Sequence, residues 1–112
     1  MFTIYHNPGC SKSRAALRLL QEQGIDPQII LYLETPPSPI ELAALLDKLV
    51  LQPAALIRRS EPQLTNVDVD ALSRDELLEL MSTHPILIER PIIVRGEHAI
   101  IGRPPERVLE LL

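Results

Sequence analysis

A chain of 112 residues is long enough for one domain with its own core and needs no disulfide or metal to hold it together. With 15 acidic against 11 basic side chains, a formal net charge of −4 and a pI of about 5.3, it lacks the basic face that general nucleic-acid binding requires. One cysteine excludes an internal disulfide and places the protein in a reducing compartment; the start carries no leader pattern and no apolar run approaches the ~18 residues of a membrane span, so a cytoplasmic protein off the membrane is expected.

"FTIY", residues 2–5, is β-rich and predicts a first strand. "NPGC" is turn chemistry, after which Ser11 is the expected N-cap of a helix closed by Gly24. Its apolar positions Ala15, Ala16, Leu19 and Leu20 form one helical stripe. "PQIILYL", residues 27–33, predicts a second strand, parallel to the first across a βαβ crossover. A Pro-rich turn then leads to Ser38, which caps a helix with Pro39 at its first position and Glu41 completing a capping box. "PAALIRR" predicts a short helix, "SEPQLTNVDVDAL" a loop, and Ser73 with Glu76 a second capped helix. Residues 38–83 therefore read as a helical insert. Two apolar triplets, Ile92–Val94 and Ala99–Ile101, flank a Gly-containing turn and predict an antiparallel hairpin; a last helix starts at Pro104 and Pro105. The order β-α-β, helical insert, β-β-α is that of an α/β, thioredoxin-like fold with a mixed four-stranded sheet.

The only thiol, Cys10, lies in "YHNPGCSKSR", among hydroxyls and cations. A thiol reacts as its thiolate, which helix N-terminal N–H groups and nearby cations favour. Ser11 and Ser13 can donate hydrogen bonds, and Lys12, Arg14 and His6 can add positive charge. The run "CSKS" puts Ser13 where a C-x-x-C pair would have its second thiol, so any adduct on Cys10 must be resolved by an external thiol.

"YHNPGCSKSR" resembles the active-site loop H-N-P-x-C-x-x-S-R of the glutathione- and glutaredoxin-dependent arsenate reductases, the ArsC family. The resemblance continues through "IILYLETPPS", "ALIRR", "HPILIERPIIV" and "GRPPERVLELL", essentially the whole chain. It implies an oxidoreductase in which Cys10 attacks arsenate, glutathione serves as co-substrate, glutaredoxin is the partner, and no cofactor or metal is bound. It implies that Arg58, Arg90 and Arg103 hold the oxyanion, with Arg59 the alternative to Arg58. His6 corresponds to the family histidine that lowers the thiol pKa, and Ser13 to the serine that hydrogen-bonds the sulfur. Arg14 belongs to the same loop, and Arg90–Pro91 stands where such folds place a cis proline. Arginine's fixed fork suits a tetrahedral, multiply charged anion.

The chain ends a helix-sized tail short of well-known family members, and regulators of RNA polymerase in the family carry C-x-x-C instead of "CSKS". The alternative function is thus an arsenate-reductase-like thiol protein with a regulatory or partner-binding role and no turnover. Lys12 and His98 read as surface groups, and His84 as a helix-end imidazole. Three His and one Cys are too scattered for a zinc site, and four Gly form no phosphate loop.

Overall fold

The structure, a computed structural model, describes residues Met1–Leu112 and divides into two compact units. The first combines Met1–Thr35 with Arg90–Leu112. It contains β1 (Phe2–Tyr5), α1 (Ser11–Glu22), β2 (Gln28–Ile30), β3 (Ile92–Arg95), β4 (His98–Ile101) and a closing 3-10 helix over Pro105–Leu111. The four strands form one mixed sheet in the order β2-β1-β3-β4, with β1 parallel to β2 and antiparallel to β3, and β3 antiparallel to β4. This is the thioredoxin-like α/β arrangement that the sequence predicts.

Its core is built from Ile4 of β1, Ile93 of β3, Ala16 and Leu20 of α1, and Val108 of the closing helix, all fully buried. Ala16 and Leu20 stand four apart, so one stripe of α1 supplies both. Burying an Ile or Leu side chain contributes about 1.5–3 kcal/mol, so these few contacts fix how α1 lies on the sheet. Gly24, at φ +78°, turns the chain out of α1, and Gly96, at φ +60°, makes the hairpin turn.

Strand register sets the location of function. Tyr5 pairs with both Ile30 and Ile92, and Ile92 pairs with Ile101. The segments after β1, before β3 and after β4 therefore meet at one end of the sheet. At the other end Phe2 pairs with Arg95. The Arg95 guanidinium lies 5.1 Å from the Phe2 ring centroid, and its Nη1 donates to the Leu111 carbonyl at 2.6 Å.

The second unit is Pro36–Glu89, with α2 (Pro39–Leu49), α3 (Pro53–Leu56) and α4 (Arg74–Thr83). Both predicted capping boxes are formed. Glu41 N–H donates to Ser38 Oγ at 3.1 Å and Ser38 N–H to Glu41 Oε1 at 3.1 Å; Ser73 and Glu76 make the same pair at 3.1 and 2.9 Å. Leu42, Leu45 and Leu46 of α2 and Leu77, Leu78 and Met81 of α4 are buried, and α2 packs on α4.

Five local expectations are corrected. Cys10, not Ser11, is the N-cap of α1: its extended backbone (φ −100°, ψ 123°) puts the helix start at Ser11. Strand β2 ends at Ile30, because the Leu31 carbonyl accepts from both Glu34 and Thr35 N–H at 2.9 Å and turns the chain. Helix α3 stops at Leu56, where Ile57 leaves for an isolated bridge with Ile88, so Arg58 lies beyond the helix. The C-terminal helix is 3-10 in type, and the loop predicted at 60–72 contains short 3-10 turns at Pro62–Leu64 and Val69–Ala71.

Candidate active site around Cys10

Cys10 is half-buried at the start of α1. Its N–H donates to the Asn7 carbonyl at 3.0 Å, and its carbonyl accepts from Arg14 N–H at 3.0 Å, which closes the first helical turn. Asn7 organises the loop from both sides. Its Oδ1 accepts from Gly9 N–H at 2.9 Å, and its own N–H donates to Ser13 Oγ at 3.0 Å. Arg14 clasps the same loop through Nη1, which donates to the Pro8 carbonyl at 2.8 Å. The role of Asn7 was not read from the sequence; the only pointer was its place in the turn "NPGC".

Burial pushes the Cys10 thiol up, but the N–H groups of Ser13 and Lys12 face the sulfur, and the Arg90 side chain hydrogen-bonds it and lies close as a cation. The net effect is a thiol held below its ordinary value of 9.0. The helix N-terminus and one arginine thus outweigh desolvation, and the sulfur is poised as a nucleophile.

Ser13 is fully buried, and its Oγ lies 2.6 Å from Nδ1 of His6, itself only 6% exposed. The sequence pointed to Ser13 as a side-chain donor to the sulfur. Its backbone N–H faces the sulfur, while its hydroxyl holds His6 and the Asn7 N–H. With His6 protonated on Nε2, the Ser13 hydroxyl donates to Nδ1. With the proton on Nδ1, the ring donates to Oγ and the hydroxyl proton is left for a third partner. His6 is also anchored by its N–H, which donates to the Ile30 carbonyl at 2.8 Å. Burial, reinforced by the Arg14 charge, lowers the His6 pKa from 6.5. The imidazole is neutral at pH 7, so it is not the cation that the loop's composition suggested.

Arg90 approaches from the start of β3. The Arg90–Pro91 peptide is cis, as the resemblance implied, and Arg103–Pro104 is cis as well. Pro91 is fully buried. The buried Nε and Nη1 of Arg90 have no protein acceptor. A buried donor without a partner costs ~1–3 kcal/mol, and donors of this kind beside a nucleophile suit the oxygens of an anion. Arg103 is half-buried, and its Nε donates to the Arg90 carbonyl at 2.9 Å. The structure therefore brings Cys10, Ser13, His6, Arg14, Arg90, Pro91 and Arg103 into the sheet unit.

Arg58 belongs to the helical unit. Its Nε lies 3.3 Å from Glu61 and 3.7 Å from Glu89, while its buried Nη1 has no acceptor. Arg59 is exposed and tied to Asp70 at 2.9 Å. Of the two, Arg58 alone keeps a buried donor without a partner. No group of three or more His, Cys, Asp or Glu side chains is arranged to hold a metal ion, and no helix is long and apolar enough to cross a membrane.

The model of the ArsC family matches residues 5–111. An arsenate reductase of Haemophilus influenzae is 47% identical over 112 residues, spanning 97% of this chain and 97% of its own length. An arsenate reductase of Escherichia coli is 44% identical, spanning 98% of this chain and 79% of its own length. The solved arsenate reductase from Vibrio cholerae is similar with a TM-score of 0.95 and 50% identity, over 99% of this chain and 97% of the other.

Proposed function

The chain belongs to the ArsC family, and on that premise we propose that it reduces arsenate to arsenite with glutathione as co-substrate and glutaredoxin as partner. The Cys10 thiolate attacks arsenic and an arsenate oxygen leaves as water, giving a sulfur–arsenic(V) adduct. A glutathione thiolate then attacks the Cys10 sulfur. The sulfur–arsenic bond breaks, its electron pair stays on arsenic, and arsenite departs. The two thiols have become a mixed disulfide, which accounts for the two electrons gained by arsenic. A glutaredoxin thiol takes the glutathione and returns Cys10 to its thiolate, which answers the lack of a second thiol in the chain.

Arg90 and Arg103 bind the oxyanion in this scheme. Ser13 and His6 hold the loop that presents the sulfur, and Arg14 braces it. The observation that carries the reading is a thiol at a helix start, its pKa lowered, beside a half-buried arginine with two buried, unpartnered donor nitrogens. Phosphate has the same shape and charge but is not reduced by thiols, so it should occupy the site and inhibit.

The test is arsenate-dependent NADPH oxidation coupled through glutathione and glutaredoxin. Turnover that disappears in Cys10→Ser is the expected result. Cys10 that becomes glutathionylated while arsenate is never consumed would replace this reading with a regulatory thiol protein.

A further inference from the structure

Arg90 stands outside the sheet ladder that should hold it. The last β3–β4 pair is Ile92 with Ile101, and Pro91 has no N–H. Two hydrogen bonds continue the pairing past that point. Gly102 N–H donates to the Pro91 carbonyl at 2.8 Å, and the next donor is a side chain: Arg103 Nε donates to the Arg90 carbonyl at 2.9 Å. The arginine that follows β4 thus completes a ladder step for the arginine that precedes β3. A long side chain magnifies small backbone rotations, so a loosened Arg90 carbonyl displaces the guanidinium from the sulfur.

We propose that Arg103 is a positioning residue for the thiol, its Nε–H gripping the Arg90 carbonyl so that the Arg90 guanidinium stays against Cys10. This role is additional to binding an oxyanion through its remaining nitrogens. It deepens the reading above by placing Arg103 upstream of thiolate formation, before any substrate arrives. The bond from Arg103 Nε to the Arg90 carbonyl gives Arg103 a route to the thiol through the backbone that carries the Arg90 guanidinium.

Side-chain chemistry supplies a crossed test. Glutamine carries an uncharged N–H donor at the same bond distance from the backbone as arginine Nε. Lysine keeps the charge but has a methylene there. The measurement is the rate of Cys10 alkylation by iodoacetamide, without arsenate or glutathione, across pH. Arg103→Ala and Arg103→Lys should both lower the rate below the midpoint by about threefold or more, with the high-pH plateau unchanged. Arg103→Gln should stay near wild type. In an Arg90→Ala background, Arg103→Ala should add nothing. A wild-type profile in Arg103→Lys with a slowed one in Arg103→Gln would show that charge acts directly, and would overturn the proposal. Unchanged profiles in all three variants would do the same. Thermal melts identify a variant that has lost its fold, and the Lys and Gln variants, which keep the stem, decide the matter if Ala has. Because the assay contains no arsenate, a failure here leaves the reductase reading to its own test.

Discussion

The arginines that the family motif singles out are held differently in the two units, although the sheet unit also pairs one arginine, Arg107, with Glu110 at 3.2 Å. Of the 15 acidic and 11 basic side chains, Pro36–Glu89 contains nine carboxylates against Lys48, Arg58, Arg59 and Arg74, while the sheet unit contains six carboxylates against seven basic groups. In the helical unit Arg58 meets Glu61 and Glu89, and Arg59 meets Asp70. In the sheet unit Arg90 and Arg103 meet no carboxylate: Arg90 acts as a cation on the Cys10 thiol, and Arg103 Nε donates to a backbone carbonyl. A cation paired with its own protein's carboxylates has little attraction left for a ligand. One held by a neutral backbone carbonyl keeps its charge for an incoming anion, and one beside the thiolate keeps its remaining donors for it.

The sharpest way to break this contrast is to remove one arginine from each unit. Arg90→Ala should weaken arsenate or sulfate binding by roughly ten- to a hundredfold, the worth of one or two charge-assisted bonds, as read by calorimetric titration. Arg58→Ala should cost less than about tenfold in the same titration, because its charge is already shared with two glutamates. Equal losses would mean that the pairing of Arg58 does not blunt it.

A stability probe sharpens the comparison from the other side. Ser73→Ala removes one half of a capping box in the helical unit and should cost about 1 kcal/mol in urea unfolding. Cys10 alkylation should remain at the wild-type rate. A slowed thiol in that variant would show the helical unit acting on the sulfur.

The smallest effect concerns pH. The folded thiol titrates below 9.0, so between its folded value and 9.0 the unfolded chain binds more protons. The stability of the wild type relative to Cys10→Ser should therefore rise with pH through that window and level off above it. Paired urea melts at several pH values would show it, and a difference that stays flat would mean that the helix start does not favour the thiolate.

How much of this was legible in the sequence depends on the distance over which each feature is decided. The capping boxes at Ser38 and Ser73 and the hairpin are set by residues a few positions apart, and each formed as read; the β-α-β order also formed, with its helix cap and second-strand end shifted. The thiol loop was legible as a cluster of residue types, and Arg90–Pro91 through its resemblance to a family motif. What was missed depends on burial or on distant partners. "PQIILYL" looks like a long buried strand, but β2 is an edge, Ile29 is exposed and the chain turns at Leu31. His6 reads as a possible cation until its burial is known. "IRR" sets two arginines side by side as alternative anion ligands, yet Arg58 also meets Glu89 and Arg59 meets Asp70, partners too far along the chain for local patterning to reveal. The bond from Arg103 to Arg90 crosses the hairpin and turns two separate motif arginines into one unit.

The Arg95 clamp has a practical consequence for handling the protein. Phe2 and Leu111 are drawn to the end of the sheet opposite the one where Tyr5, Ile92 and Ile101 meet. Whatever is joined to either terminus, an affinity tag, a fluorescent reporter or a second catalytic module, emerges from the side facing away from the sulfur. Both ends also lie close together, so a short linker between them and new termini opened elsewhere on the surface would give a permuted chain with its chemistry untouched.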